Sequence, residues 1–393
     1  MRRAVQIVFI SLCLGGCKRN TAADASPPPA AVSSFTRTPA STPPGAPTSS
    51  AAVPTVSNAR TKGRCRARVP DEPRPIRGAG VFVTREGKIR VAVNDDGVPR
   101  FVDSVTAALK AIKSPCAAAG EALYCASKKG IISRYDSKGS APILEGAASS
   151  LIAAARTGDV DVVAYLRAKE GPSGVIREAW ARGPDGLSVK ISDDGAGATA
   201  VDIVTSGDRI VFVMAEARGS LATLTIRPSS IKDGHLALAP ANVVFAGGGG
   251  DYLLEPRGVV LPTGPLVVAT VLPQDLHTFG SASFLVDMQR LTNVEPVWSP
   301  YPHGFDDAPF AVTLHQGAAW MVRSRPTTAE SQSPMMLELG QIDPTGQFVT
   351  AGERMAPENP THLALASDRD ALVIYVDGDK GGLRERWACG QAR

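Results

Sequence analysis

The stretch AVDIVTSGDRIVFVMA, residues 200–215, shows the repeating pattern of this chain most clearly. A short apolar run over 200–206 is followed by the turn Gly207-Asp208 and by a strongly apolar run over 209–215. Runs rich in β-branched and apolar residues, bounded by Gly and Asp, are typical of β-strands joined by tight turns. The stretch therefore predicts an antiparallel hairpin.

The same unit recurs along the chain. Clear copies lie at 151–166, 310–323 and 362–376, and weaker strands lie at 80–84, 123–127 and 265–271. The strong strands begin near positions 80, 123, 162, 209, 265, 318 and 371, at spacings of 39 to 56 residues. A further β-like run follows each strong strand. Repeats of about 40 to 50 residues with four strands each are typical of propeller blades.

This periodicity makes residues 64–393 resemble a seven-bladed β-propeller, and we predict an all-β fold. Six blades or β-sandwiches are alternatives that the spacing leaves open. The last repeat lacks an outer strand, because only the run 383–389 follows 371–376. Residues 65–69 are expected to supply that strand and thereby to close the ring.

A secretion signal is predicted over residues 1–16. Arg2 and Arg3 precede a short apolar stretch that ends in Leu14-Gly15-Gly16-Cys17. The stretch is shorter than the roughly 20 apolar residues that a membrane-spanning helix needs. A charged start, a short apolar core and small residues before the cleavage point mark a signal peptide.

The run Leu14-Gly15-Gly16-Cys17 resembles the lipobox of bacterial lipoproteins. The resemblance implies that Cys17 is lipidated and becomes the first residue of the mature chain. Several acyl chains hold a protein stably at a membrane, so the membrane is an expected partner. Because Lys18 and not Asp follows the cysteine, the resemblance also implies sorting to the outer membrane.

Residues 17–63 are predicted to be a disordered tether. They are mostly Ala, Ser, Thr and Pro, as in Ser26-Pro27-Pro28-Pro29. Such a segment buries too little apolar surface to offset the entropy of ordering. A semi-extended tether of this composition reaches on the order of 100 Å. It would let the folded body act away from the lipid surface.

Four cysteines remain in the predicted body. An even number in an exported chain predicts two disulfides, with three possible pairings. We favour Cys116–Cys125, two short segments around a glycine turn, which leaves Cys65–Cys389 to join the start of the body to its end. A metal site is the weaker interpretation, because no C-x-x-C pair occurs.

Charge argues against nucleic acid as a partner. From Gly78 onward the chain carries 30 basic and 35 acidic residues, a net charge of −5. Nucleic-acid binding needs a basic face, and the net positive charge of this chain comes from the part before Gly78, which has 12 basic and 3 acidic residues. We therefore predict no nucleic-acid partner.

Binding residues are expected on loops at one end of the propeller. In an antiparallel blade, the loops between second and third strands and those between blades emerge at the same end. The candidate binding residues on these loops are Asp193, Asp194, Asp251, Tyr252, His277, His303, Asp306 and Asp307. The loop 301–307 combines two carboxylates, an imidazole and two aromatic rings, a set suited to a cation or a sugar.

No catalytic motif stands out. The chain has no H-E-x-x-H, no G-x-S-x-G and no Walker loop, and the glycine-rich run 247–250 is followed by Asp251, which would repel phosphate. We predict no cofactor, no metal and no enzymatic activity. The favoured function is a binding or scaffold module for an envelope protein or a glycan. The alternative is a polysaccharide hydrolase or lyase that uses carboxylates at 193–194 and 306–307.

Overall fold

The computed structural model describes residues 65–68, 80–83, 89–95, 98–102, 116–146, 148–171, 174–206, 208–219, 221–249, 252–261, 264–272, 280–285, 297–300, 309–328, 334–356, 360–368, 371–378 and 381–389. All of them lie in one compact unit, Arg60–Arg393. The predicted signal over 1–16, the lipidation site Cys17 and the tether over 17–63 lie outside the described residues.

The described part is all-β, as predicted, and contains no helix. None of its segments is therefore a helix that could span a membrane. The strands are β1 (Cys65–Arg68), β2 (Gly80–Val83), β3 (Ile89–Asp95), β4 (Val98–Val102), β5 (Cys116–Ala119), β6 (Ala122–Ala126), β7 (Ile132–Asp136), β8 (Gly139–Leu144), β9 (Ala148–Thr157), β10 (Val160–Gly171), β11 (Gly174–Arg182), β12 (Ser188–Lys190), β13 (Gly197–Ser206) and β14 (Arg209–Arg218). They continue with β15 (Leu221–Lys232), β16 (His235–Leu238), β17 (Asn242–Gly249), β18 (Tyr252–Leu261), β19 (Gly264–Leu272), β20 (Gly280–Leu285), β21 (Val297–Pro300), β22 (Phe310–His315), β23 (Ala318–Pro326), β24 (Met335–Ile342), β25 (Phe348–Met355), β26 (Pro360–Asp368), β27 (Ala371–Gly378) and β28 (Gly381–Cys389).

Among the described residues these strands form seven antiparallel sheets. We number them along the chain: sheet one (β2 to β4), sheet two (β5 to β8), sheet three (β9 to β12), sheet four (β13 to β17), sheet five (β18 to β21), sheet six (β22 to β25) and sheet seven (β26 to β28, then β1). Consecutive strands pair as hairpins, and the predicted hairpin over 200–215 is β13 paired with β14.

The apolar core lies between consecutive sheets. Successive side chains of a strand point to opposite faces of its sheet. A sheet that buries apolar side chains on both faces therefore needs another sheet packed against each face. In sheet four, Val204 and Val213 pack against Val267 and Phe284 of sheet five, while Phe212 on the opposite face packs towards sheet three. Further clusters join sheets two and three, five and six, and six and seven.

First strands of consecutive sheets lie side by side. Each of β5, β9, β13, β18, β22 and β26 contacts the next in this order, and β2 contacts both β26 and β5. The backbone amide of Gly258 on β18 donates a hydrogen bond to Asp202 Oδ2 on β13, at 3.0 Å. A Cβ at Gly258 would clash with the Val204 side chain, so glycine permits this close approach.

Sheet seven draws its outer strand from the other end of the chain. β1 pairs with β28 in a register that sets Cys65 opposite Cys389, and a disulfide joins the two residues. A second disulfide joins Cys116 and Cys125 across the β5–β6 turn. This is the pairing that the sequence favoured among the three.

One strand assignment from the sequence is wrong. In sheets two to seven the strongly apolar run forms the second strand of the sheet. In sheet one the apolar run near position 80 forms β2, which is the first strand among the described residues. The second strand of sheet one is β3. The short run Gly80–Val83 is as apolar as a central strand, so composition alone misassigns its order.

Candidate functional site

The connections between strands sort into two ends of each sheet. Links between first and second strands, and between third and fourth strands, define the turn end. His315 Nδ1 lies 2.7 Å from Ser367 Oγ, which brings together two first-to-second links of sheets six and seven. His235 Nδ1 lies 2.6 Å from Asp185 Oδ2, which does the same for third-to-fourth links. The opposite end, with the remaining links, is called the loop end.

Asp193 lies at the loop end, in the connection between sheets three and four. Its Oδ1 accepts a hydrogen bond from Arg227 Nη2 at 2.6 Å, and its Oδ2 accepts one from Arg218 Nη2 at 3.1 Å. The two arginines belong to sheet four, so the pair fixes the connection onto the face of that sheet. Asp193 is 39% exposed but is already bound by two guanidinium groups.

A buried carboxylate continues this network. Glu216 has a fully buried side chain, and its Oε2 accepts hydrogen bonds from Thr225 Oγ1 at 2.6 Å and from Arg218 Nη2 at 3.0 Å. Charge-assisted bonds of this kind are the strong ones in a protein interior. Arg218 therefore joins Glu216 to Asp193 and ties the strand end to the connection between the sheets.

Asp194 belongs to a second network, on sheet three. Lys190 Nζ donates to Asp194 and, at 2.9 Å, to Glu178 Oε1, which also receives Lys169 Nζ at 3.1 Å. Burial pushes the pKa of Glu178 upward, but the hydrogen bonds from the two lysines outweigh it and hold the pKa below its ordinary value. The hydrogen bond from Lys190 and its charge likewise lower the pKa of Asp194.

These geometries limit the chemistry of the 193–194 connection. A general acid at neutral pH needs a raised pKa, whereas the pKa of Asp194 is lowered. Asp193 is held as an ion-pair partner by Arg218 and Arg227. The described residues also contain no group of three or more His, Cys, Asp or Glu side chains suited to a metal ion.

A repeated tryptophan motif was missed by sequence reasoning. Glu178-Ala179-Trp180-Ala181 and Glu385-Arg386-Trp387-Ala388 lie on the third strands of sheets three and seven. In each, the indole Nε1 donates to the glutamate two residues earlier, at 3.3 Å for Trp180 and 3.1 Å for Trp387. The shared sequence Glu-x-Trp-Ala is the signal by which the motif could have been recognised.

The predicted candidate residues are only partly brought together. Asp193 and Asp194 share one connection and join two networks that meet there. Tyr252 is the first residue of β18, and its side chain is outside the described part. Asp251, His277, His303, Asp306 and Asp307 lie outside the described residues, so their grouping stays a prediction.

Comparison with known proteins gives a likeness of fold. No protein-family model and no curated protein matches the chain. Among solved structures, BBS1N in complex with ARL6DN, from a crystal soaked with lead, is 10% identical, with 83% of this chain and 95% of that one covered and a TM-score of 0.50.

Two propeller-like proteins also resemble it. The N10 neuraminidase-like protein of A/little yellow-shouldered bat/Guatemala/060/2010 is 10% identical, with 70% and 94% covered and a TM-score of 0.46. BamB from Moraxella catarrhalis is 14% identical, with 82% and 98% covered and a TM-score of 0.39. At these identities the likeness concerns the fold alone. The sheets themselves are β-propeller-like, since they are antiparallel and their first strands lie side by side in chain order.

Proposed function

We propose that this chain is an exported, lipid-anchored, seven-bladed propeller that serves as a binding or scaffold module for an envelope protein or a glycan. The lipid is attached at Cys17, the segment 17–63 is the tether, and the anchor lies in the outer membrane. The body is a ring of seven blades, with β1 as the outer strand of the last one.

Two observations support the closed ring. The side-by-side first strands run from β5 through to β26 and return by way of β2. In addition, β1 and β28 join residues 324 positions apart through both strand pairing and a disulfide. Closure of a sheet array in this way leaves no long exposed edge for unwanted pairing.

The orientation of sheet seven is the observation that carries the proposed function. The strand β28 begins at Gly381, opposite Gly378 at the loop end, and ends at Cys389, beyond Ala388. Ala388 pairs with Ala371, the residue that follows the β26–β27 link of the turn end. Cys65 pairs with Cys389, so the chain enters the body at the turn end.

The loop end is the end of the sheets opposite Cys65. The connection with Asp193 and Asp194 lies at that end. Function concentrates on loops that a rigid scaffold presents, and the propeller then acts as the scaffold. Binding is favoured over the hydrolase or lyase alternative because the described loop carboxylates are already paired with Lys190, Arg218 and Arg227.

Site-specific photo-crosslinking in the native membrane tests this function. A photo-reactive residue replaces Val175 or Leu221, which are 70% and 42% exposed at the loop end. The matched controls are Leu187 and Leu314, 62% and 40% exposed at the turn end. We expect discrete adducts from the loop end only. Adducts from the turn end alone, or from no position, would refute the proposed function.

A further inference from the structure

Five basic residues at the loop end of sheets two and three are together called the basic groove: Lys128, Lys129, Arg167, Lys169 and Lys190. Arg167 pairs with Glu178 and Lys190 pairs with Trp180, so these side chains share one face of sheet three. Tyr165 and Trp180 on the same face pack in a core with Tyr124 of sheet two. The face with Arg167, Lys169 and Lys190 is therefore the one turned towards sheet two.

Sheet two adds two more cations at the same end. Lys128 and Lys129 occupy the β6–β7 turn, and both are exposed. The link that follows β8 contains Gly146, where a Cβ would lie 3.5 Å from Arg167 Nη2. The positive φ of Gly146, 79°, accounts for the glycine, whose backbone lies beside the Arg167 guanidinium group.

The groove is positive within a body that is negative overall. It collects five cations, Lys128, Lys129, Arg167, Lys169 and Lys190, against the carboxylates of Glu145, Glu178 and Asp194. From Gly78 onward the chain as a whole has 30 basic and 35 acidic residues. Concentration of one sign of charge in a cleft raises the local concentration of an oppositely charged ligand.

The Arg167 side chain is pre-organised to bind a carboxylate. Its Cζ lies 5.2 Å from the centroid of the Trp180 ring, so the guanidinium group stacks on the indole. A planar guanidinium binds a carboxylate through two parallel hydrogen bonds, and stacking reduces the side-chain entropy lost on binding. Lys169, whose side chain is 57% exposed, lies on the same face and holds Glu178 with only part of its hydrogen-bonding capacity.

We propose that this groove binds an acidic polysaccharide through its carboxylate groups, a proposal that rests on the proposed function and names its ligand class. Anionic lipid is the competing ligand, and a separate arm of the test below distinguishes it. A protein interface needs an apolar centre. The nearby exposed Val175 shares the face of Ala179 and Ala181, which turns towards sheet four and away from this groove.

The test uses the full mature protein in detergent and measures binding of polygalacturonate, neutral dextran and glycerophosphoglycerol, the soluble headgroup of anionic phosphatidylglycerol, by interferometry. The variant K128E/K129E reverses two exposed charges at the groove. Its matched control, K138E/K232E, reverses two exposed charges in turns at the opposite end. All four lysines are in or beside exposed turns, so both variants are expected to fold.

We expect polygalacturonate to bind in a salt-sensitive manner and dextran not to bind. The variant K128E/K129E should weaken binding about tenfold or more, and K138E/K232E by less than about twofold, because exposed charges act mainly at short range. Absence of polygalacturonate binding, equal loss in both variants, or tighter binding to glycerophosphoglycerol would overturn the proposal. None of these results would change the photo-crosslinks expected at the loop end. The two experiments therefore distinguish failure of this proposal from failure of the proposed function.

Discussion

The Cα atoms of Cys65 and Cys389 lie 4.1 Å apart, opposite each other on β1 and β28, and a disulfide joins the two residues. Their separation along the chain is 324 residues. In the proposed function the tether meets the body at Cys65, and this covalent link holds it there. The pairing of β1 with β28 and the packing of Cys65 in the core of sheets six and seven hold the same point.

Removal of the long-range disulfide should destabilise the body more than removal of the local one. In the chain-entropy model, a bridge across 324 residues stabilises by about 6 kcal/mol, and one across 9 residues by about 3 kcal/mol. We expect C65S/C389S to lower the denaturant midpoint further than C116S/C125S does. Equal midpoints in the two variants would argue against β1 as the closing strand.

Replacement of Gly352 on β25 by a larger residue should destabilise the protein. A Cβ there would lie 2.7 Å from Cζ3 of Trp387 and 2.8 Å from the carbonyl oxygen of Cys65. Because both atoms belong to the packed sheet seven, we expect G352A to cost about 1–3 kcal/mol in the free energy of unfolding. The control G197A meets nothing closer than 3.7 Å and should change it by less than about 0.5 kcal/mol. A neutral G352A would contradict the packing of sheet six against sheet seven.

Glu178 should make stability sensitive to acid. Its pKa is lower in the folded protein than the ordinary 4.5, because Lys190 and Lys169 outweigh the effect of burial. The folded state therefore binds fewer protons than the unfolded state as the pH falls through this range. The stabilisation is present above about pH 4.5 and is lost as the pH falls through the folded value.

The variant E178Q removes this linkage. We expect lower stability at neutral pH and a shallower loss of stability below about pH 4.5, in denaturant titrations at a series of pH values. E353Q is the control, since the Glu353 side chain is 43% exposed and its ion pair with Arg325 is long, at 3.4 Å. An unchanged acid slope in E178Q would refute the assigned role of the two lysines.

Asp193 should hold the connection between sheets three and four in place. With its carboxylate replaced in D193N, Arg218 and Arg227 lose a charged acceptor, and we expect faster hydrogen exchange over 191–196. Exchange in the distant sheet six is the internal control. If D193N instead abolished ligand binding while leaving exchange unchanged, Asp193 would be a binding residue and not a positioning one.

The local part of the fold is predictable from the sequence. Apolar runs separated by Gly-Asp turns specify hairpins such as β13–β14, because each pairing is complete within neighbouring residues. The pairing of β17 with β15 is not predictable in this way. This pairing arises because β15 is long enough to pair with β16 through residues 229–232 and with β17 through residues 221–226.

The candidate site is less predictable, for a physical reason. Asp193 meets partners 25 and 34 residues away, and no local pattern encodes such contacts. The sequence identified Asp193 and Asp194 as exposed turn carboxylates but did not reveal the cations that bind them. The basic groove, by contrast, depends on lysines and an arginine from two sheets that only the packing brings to one gap.

Mass spectrometry of the protein extracted from membranes, without reduction, examines the lipid anchor and the closing disulfide in one measurement. We expect a mature chain whose first residue is an acylated Cys17 and a peptide containing Cys65 linked to one containing Cys389. A chain that still begins at Met1, or free thiols at Cys65 and Cys389, would contradict an anchored body closed at the entry point of its tether.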